Sequence, residues 1–206
     1  MGCRLTKAVS SKKKNKGNGL LQRHSCTVSC EVTDPPERPT LTRNQRAILT
    51  NTSKLLVENI SRVGVITFMN LFETHPDVQE VFMPFKGLSG NDLRYSRELR
   101  AHAFRVMGVV QKVITRLNEE EKLDQLLTDL GKKHARYGAK PQYIDLIGPQ
   151  FVHAIKPSLE DHWTTEMEEA WCQLFRYIAW VMKAAMVEHQ SECEVSSVQS
   201  FHSKID

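Results

Sequence analysis

Between residues 42 and 188 nearly every segment repeats its apolar side chains at three- and four-residue intervals, and none alternates them in twos. That spacing restricts the chain to helices, each burying one stripe against its neighbours. A first helix begins near Thr42 and carries Ile48, Leu55 and Leu56; a second runs from about Ser61 with Val65, Phe68, Met69 and Phe72 to one side. Pro76, after His75, suits the first turn of a short helix leading to Phe82. Leu99, Ala103, Val106, Val110, Val113 and Leu117 form the next long stripe. Asn118, with Glu121 three residues later, reads as a capping box opening the helix of Leu123, Leu126, Leu127 and Leu130. Lys140-Pro141 starts another helix, with Ile144, Ile147 and Phe151. Gly148-Pro149 predicts a kink inside it, because a mid-helix proline costs about 3 kcal/mol. The last helix is acidic at its start, which complements the dipole, and continues as Trp171, Leu174, Ile178, Met182 and Met186. The expected fold class is all-α, with one helical body over residues 41–188.

The flanks are of another kind. Residues 1–40 are rich in Lys, Ser and Gly and close on Pro35, Pro36 and Pro39, which reads as a flexible lead; residues 189–206 return to Ser, Glu and Gln and read as a disordered tail. Seven basic residues precede the first acidic one, Glu31, so the remaining 21 basic residues meet 24 acidic ones. The net charge of +4 therefore belongs to the lead, and a nucleic-acid face on the body is not expected. The five cysteines are odd in number and follow no framework spacing, which argues for a reducing compartment. His24, Cys26 and Cys30 lack a second ligand pair, and Cys172 beside Trp171 reads as a buried, inert thiol. No stretch is expected to reach the roughly 18 apolar residues of a membrane span, and no secretory h-region opens the chain.

Two histidines stand on apolar stripes. His102 lies between Leu99 and Val106, and His134 follows Leu126, Leu127 and Leu130 at four-residue steps. An imidazole in a core needs a polar partner or a metal, since unpaired burial costs a few kcal/mol. One such histidine is commonly satisfied by a backbone carbonyl or a buried water. Two on separate helices, with aromatic and branched neighbours, can also approach one flat prosthetic group from opposite faces, as axial ligands do with haem iron. The pattern alone leaves a haemless helical interaction module open as well.

The stretches GVITFMNLFETHPDVQEVF, LRAHAFRVMGVV and LGKKHARYGAK resemble the globin family, above all its neuroglobin-like and globin X branches, over roughly residues 42–188. The resemblance implies a globin fold, a three-on-three helical sandwich, holding non-covalent haem b. It assigns His134 as the proximal iron ligand and His102 as the distal one. Phe82 would pack on the haem at the corner after the short third helix, Val106 one turn beyond His102, and Phe68 where the second helix faces the distal pocket. Tyr137 falls in the bend after His134, and Ile144 joins it as a cofactor-binding position. Arg105 reads equally as a propionate partner and as a solvated charge. No Cys-x-x-Cys-His occurs for covalent haem attachment. Ser53 stands where many globins carry a tryptophan, so the first helix is expected to pack differently. The resemblance further implies O2, NO, CO or nitrite as small ligands and an unidentified reductase as partner. Simple oxygen storage or transport, electron transfer, redox signalling, lipid protection, and nitrite-reductase or NO-dioxygenase activity are not separated at this level.

The chain opens MGCRLT, which fits the N-myristoylation pattern at Gly2. Cys3 adjoins it as a site for palmitate, and Lys12, Lys13, Lys14 and Lys16 would face anionic inner-leaflet lipids. One myristoyl chain anchors marginally, so the second signal matters. The expected location is the cytoplasmic face of the plasma membrane; the competing readings of the lead are a solubilising arm and a nuclear-import signal.

Overall fold

The computed structural model of the protein describes residues 37–202, all within one unit of the chain, Glu37–Asp206. Gly2, Cys3 and the basic run lie outside the described residues. Eight α-helices follow in order: α1 (Arg43–Leu56), α2 (Ile60–Thr74), α3 (Pro76–Gln79), α4 (Gly90–Tyr95), α5 (Arg97–Thr115), α6 (Glu120–Arg136), α7 (Ile147–Ile155) and α8 (Thr165–His202). Short 3₁₀ turns join several of them, and there is no strand among the described residues.

The local chemistry sets the helix ends. Thr42 accepts from Gln45 N–H while the Gln45 side chain accepts from Thr42 N–H, a complete capping box on α1. Pro76 takes the first position of α3, where its missing N–H has no partner to lose. The box expected at Asn118 does not form: Glu119 is the N-cap and its side chain pairs with Lys122 rather than capping the helix, while Asn118 Oδ1 and the Leu117 carbonyl accept from Arg46 of α1. A tertiary partner has taken the capping residue. Nor is there a kink at Gly148-Pro149. Residues Pro141–Leu146 are 3₁₀ and the α-helix starts only at Ile147, so Pro149 falls in its first turn, where backbone N–H groups lack intrahelical acceptors.

Helices α1, α5 and α6 lie over α2, α7 and α8, with α6 and α1 packed on α8, and α2 against both α5 and α7. Two glycines permit the close crossings. A Cβ on Gly131 of α6 would sit 2.5 Å from the Met182 carbonyl of α8, and one on Gly64 of α2 would sit 2.9 Å from Met107 of α5. The main core is built around Leu49, Met107, Leu127, Phe151, Trp171 and Leu174. Ser53 is not a gap in it. Trp171 reaches across from α8, and its Nε1–H donates to Thr52 Oγ1 at 3.1 Å inside the core. Leu55, expected on the buried stripe, is instead 51% exposed, and Leu49, Thr52 and Leu56 face inward. Cys172 is only partly buried against this core.

Three expectations change at the margins. The body starts before residue 41, because Arg38 is already fastened: its Nη2 donates to both carboxylate oxygens of Asp124 on α6 (2.9 and 2.7 Å) and to Tyr177 Oη on α8 (3.1 Å). At the other end α8 runs on to His202, past the expected boundary at 188, so the segment read as a disordered tail is helical up to that residue. No Gly or Pro interrupts Thr165–His202, and polar composition alone does not stop a helix. Finally, the α1–α2 stretch Arg43–Thr74 is long and apolar enough to span a membrane by length and composition. Yet a 3₁₀ turn at Val57–Asn59 interrupts it, and Val63, Thr67, Phe68, Leu71 and Phe72 are buried in the fold.

Candidate functional site

A second, smaller core sits beside the main one. Phe68, Leu71, Phe72, Val78, Phe85, Leu93, Leu99 and Ala103 form it, drawn from α2 to α5. Each large apolar side chain buried here contributes roughly 1.5–3 kcal/mol. Val106 and Ile147 touch both cores and so mark the seam between them.

His102 stands on that seam. Ser96 caps α5 by accepting from Leu99 N–H at 3.2 Å, and Glu98 in the first turn favours the helix dipole, which fixes His102 two turns into a firm helix. The imidazole meets Phe68 and Phe82 edge-on, with centroids 5.0 and 5.1 Å away. It is half-buried and makes no hydrogen bond among the described residues. Burial, then the charges of Arg105 and His134, pull its pKa down to about 4. At neutral pH the ring is therefore uncharged, and one nitrogen carries a free lone pair. His102 comes from α5 and His134 from α6.

His134 is held differently. Its Nδ1 lies 2.9 Å from the Leu130 carbonyl, which can only accept, so the proton is on Nδ1 and Nε2 is left as the donor atom. Its backbone is pinned too. Gly138 N–H bonds the Ala135 carbonyl and Ala139 N–H bonds the His134 carbonyl, closing α6 in a Schellman motif. The motif needs a left-handed residue at Gly138, whose φ is +77°.

The structure brings His102, Phe68, Phe82 and Val106 together. Ile144 packs instead against the main core, in the 3₁₀ segment, and Tyr143, Leu146 and Ile147 from that region join the smaller core. Sequence reasoning missed Tyr143 and Leu146, because it assumed α-helical spacing where the backbone turns every three residues. Tyr137, expected to bind cofactor, is 81% exposed at the C-cap of α6: the Schellman closure turns the chain there and leaves its ring in solvent. Arg105 is exposed at the mouth of a cleft of about 240 Å³ lined also by Phe82, Phe85, Arg97, Ala101 and His102.

The donor set fits haem. No group of three or more His, Cys, Asp or Glu capable of caging a metal ion occurs among the described residues. Two imidazoles, His102 from α5 and His134 from α6, would hold the iron of a macrocycle that supplies its own nitrogen ligands.

The sequence profile of the globin family matches residues 66–182, more than half of the chain and including both histidines. The chain belongs to the globin family. Cytoglobin-2 of Danio rerio is 27% identical to this globin over 161 residues, covering 77% of this chain and 90% of the relative. Neuroglobin of Tetraodon nigroviridis is 29% identical over 116 residues, 56% of this chain and 73% of its own. Among solved structures, a hexacoordinated heme protein from an anhydrobiotic tardigrade superposes with a TM-score of 0.68 at 20% identity, over 74% of this globin and 99% of that chain. That likeness establishes the three-on-three helical fold. Family membership implies haem and small gaseous ligands such as O2.

Proposed function

We propose that this globin carries haem b with a histidine on each side of the iron and works, tethered to the cytoplasmic face of the plasma membrane, in redox signalling, electron transfer or protection of lipids. A bound haem b supplies reversible binding of O2, NO or CO and one-electron exchange. The remaining chemistry belongs to the chain. His134 offers Nε2, aimed by the bond from Nδ1 to Leu130. His102 offers a second neutral nitrogen from α5. With His102 holding the iron, an external ligand would compete with it, and apparent affinity would be lowered by the fraction of sites open at any moment. Phe68, Phe82 and Val106 keep water from the site, and Arg105 is placed at the cleft mouth where a guanidinium can meet a propionate. Electrons come from a reductase partner.

One observation carries this reading: His102 is a half-buried imidazole set edge-on between Phe68 and Phe82 with no hydrogen bond among the described residues. The test is the visible spectrum of the purified ferrous protein. It should be low-spin and six-coordinate, becoming five-coordinate in His102→Leu. A five-coordinate spectrum in the unmodified protein would overturn the bis-histidine site and leave His102 as a hydrogen-bond donor to bound gas, as oxygen storage requires.

The membrane half rests on MGCRLT, Cys3 and the four lysines that follow. Gly2→Ala should move the protein from the membrane fraction to the cytosol. Identical partitioning of the two would sink the anchor.

A further inference from the structure

Apart from Arg97 and Arg105, which line the cleft beside His102, the outward face of α5 has no role in the site described above. At helical spacing Arg97, Arg100, Phe104, Arg105 and Lys112 share the side opposite Leu99, Ala103 and Val110, and all five are exposed. Phe104 stands 66% in solvent. Glu98 is the only acidic residue of the helix, and none of the four cations is ion-paired among the described residues. Beyond the lead, the chain carries more acidic than basic residues, so this concentration of positive charge is local. Met83, 75% exposed, follows Phe82, which lines the cleft with Arg97 and Arg105. Two of the four cations thus line the cleft beside His102, together with Glu98.

We propose that this face of α5 is a docking surface for an anionic lipid bilayer, with Phe104 entering the headgroup region among Arg97, Arg100, Arg105 and Lys112. Cations around a lone exposed aromatic are what an interfacial helix presents to such a surface. The occupant is chosen by charge: the lead carries the same sign, so one negative surface attracts both. Docked this way, the body turns its cleft toward the bilayer, and the site exchanges ligands or electrons with the membrane rather than with bulk water. The inference rests on the reading that the chain works at a membrane, but not on acylation.

The test uses full-length, haem-loaded, unacylated protein in which Lys12, Lys13, Lys14 and Lys16 are Gln throughout, so that the lead contributes little. Sedimentation with phosphatidylcholine vesicles, with and without phosphatidylserine, gives the partition coefficient. Arg100→Gln with Lys112→Gln leaves the cleft lining untouched and should lower binding to the serine-containing vesicles about 25-fold, roughly fivefold per charge. Lys54→Gln with Arg176→Gln, the same change of net charge on α1 and α8, should lower it far less. Phe104→Ser should remove the part of binding that survives high salt, where charge is screened. An unchanged visible spectrum in each variant shows an intact fold. Equal losses in the two charge pairs, or no loss in either, would overturn the proposal; the second result would point to an acidic protein as the partner. Because no acyl chain is present, failure of the Gly2 anchor and failure of this face are separate outcomes.

Discussion

Nδ1 of His134 lies 2.9 Å from the carbonyl oxygen of Leu130, one turn earlier on the same helix. The bond selects the tautomer and stops rotation of the ring. His134→Ala removes the nitrogen so prepared and should lose most of the haem, read as the ratio of Soret to protein absorbance after gel filtration. Added imidazole should restore part of the band. Full occupancy with an unchanged spectrum would show that His134 is not the ligand.

The buried bond from Trp171 to Thr52 gives a second expectation. Thr52→Val keeps the shape of the side chain and leaves the indole N–H without an acceptor, at a cost of about 1–3 kcal/mol. Thr52→Ser retains the oxygen and should recover much of this. Denaturant unfolding measures both, and equal midpoints for Val and wild type would mean that the indole finds another acceptor.

Tyr177 makes the third. Burial, then its hydrogen bond to Asp124, pushes the phenol up to about 12 from its ordinary 10. A raised folded-state value means that the folded protein holds the proton longer than the unfolded chain. The contribution is thus complete below pH 10 and is lost as pH rises through 10 to 12. Over that window stability should fall by on the order of 2 kcal/mol more than in Tyr177→Phe, which has no phenol to titrate. Parallel stability–pH curves for the two proteins would contradict it.

Much of this was legible because helix stripes and proline punctuation are local. The stripe from Leu99 to Val113 and the placement of Pro76 follow from spacing alone, and they carry His102 and Phe82 to one seam. What could not be read depended on partners distant in sequence. Asn118 and Glu121 have the letters of a capping box, but Arg46, 72 residues away, holds the asparagine. Pro149 looks like a break until one sees that the helix begins at Ile147. Tyr137 lies one turn from a histidine on an apolar stripe, yet the left-handed turn at Gly138 leaves it in solvent. The role of Arg38 was invisible, since its acceptors lie 86 and 139 residues further on.

That arginine has a mechanical consequence. Its acceptor Asp124 and its ion-pair partner Glu120, 3.0 Å away, belong to the first turns of α6, while His134 belongs to the last. At 1.5 Å per residue the two ends stand roughly 15–20 Å apart on one rod. Arg38 therefore acts as a strain relief at the start of the described residues, like the grommet where a cable enters a housing. A pull on the lead is taken up by Asp124, Tyr177 and Glu120, at the end of α6 remote from the histidine. If the lead is tethered as proposed, a pull on it reaches α6 at the end remote from the His134 ring.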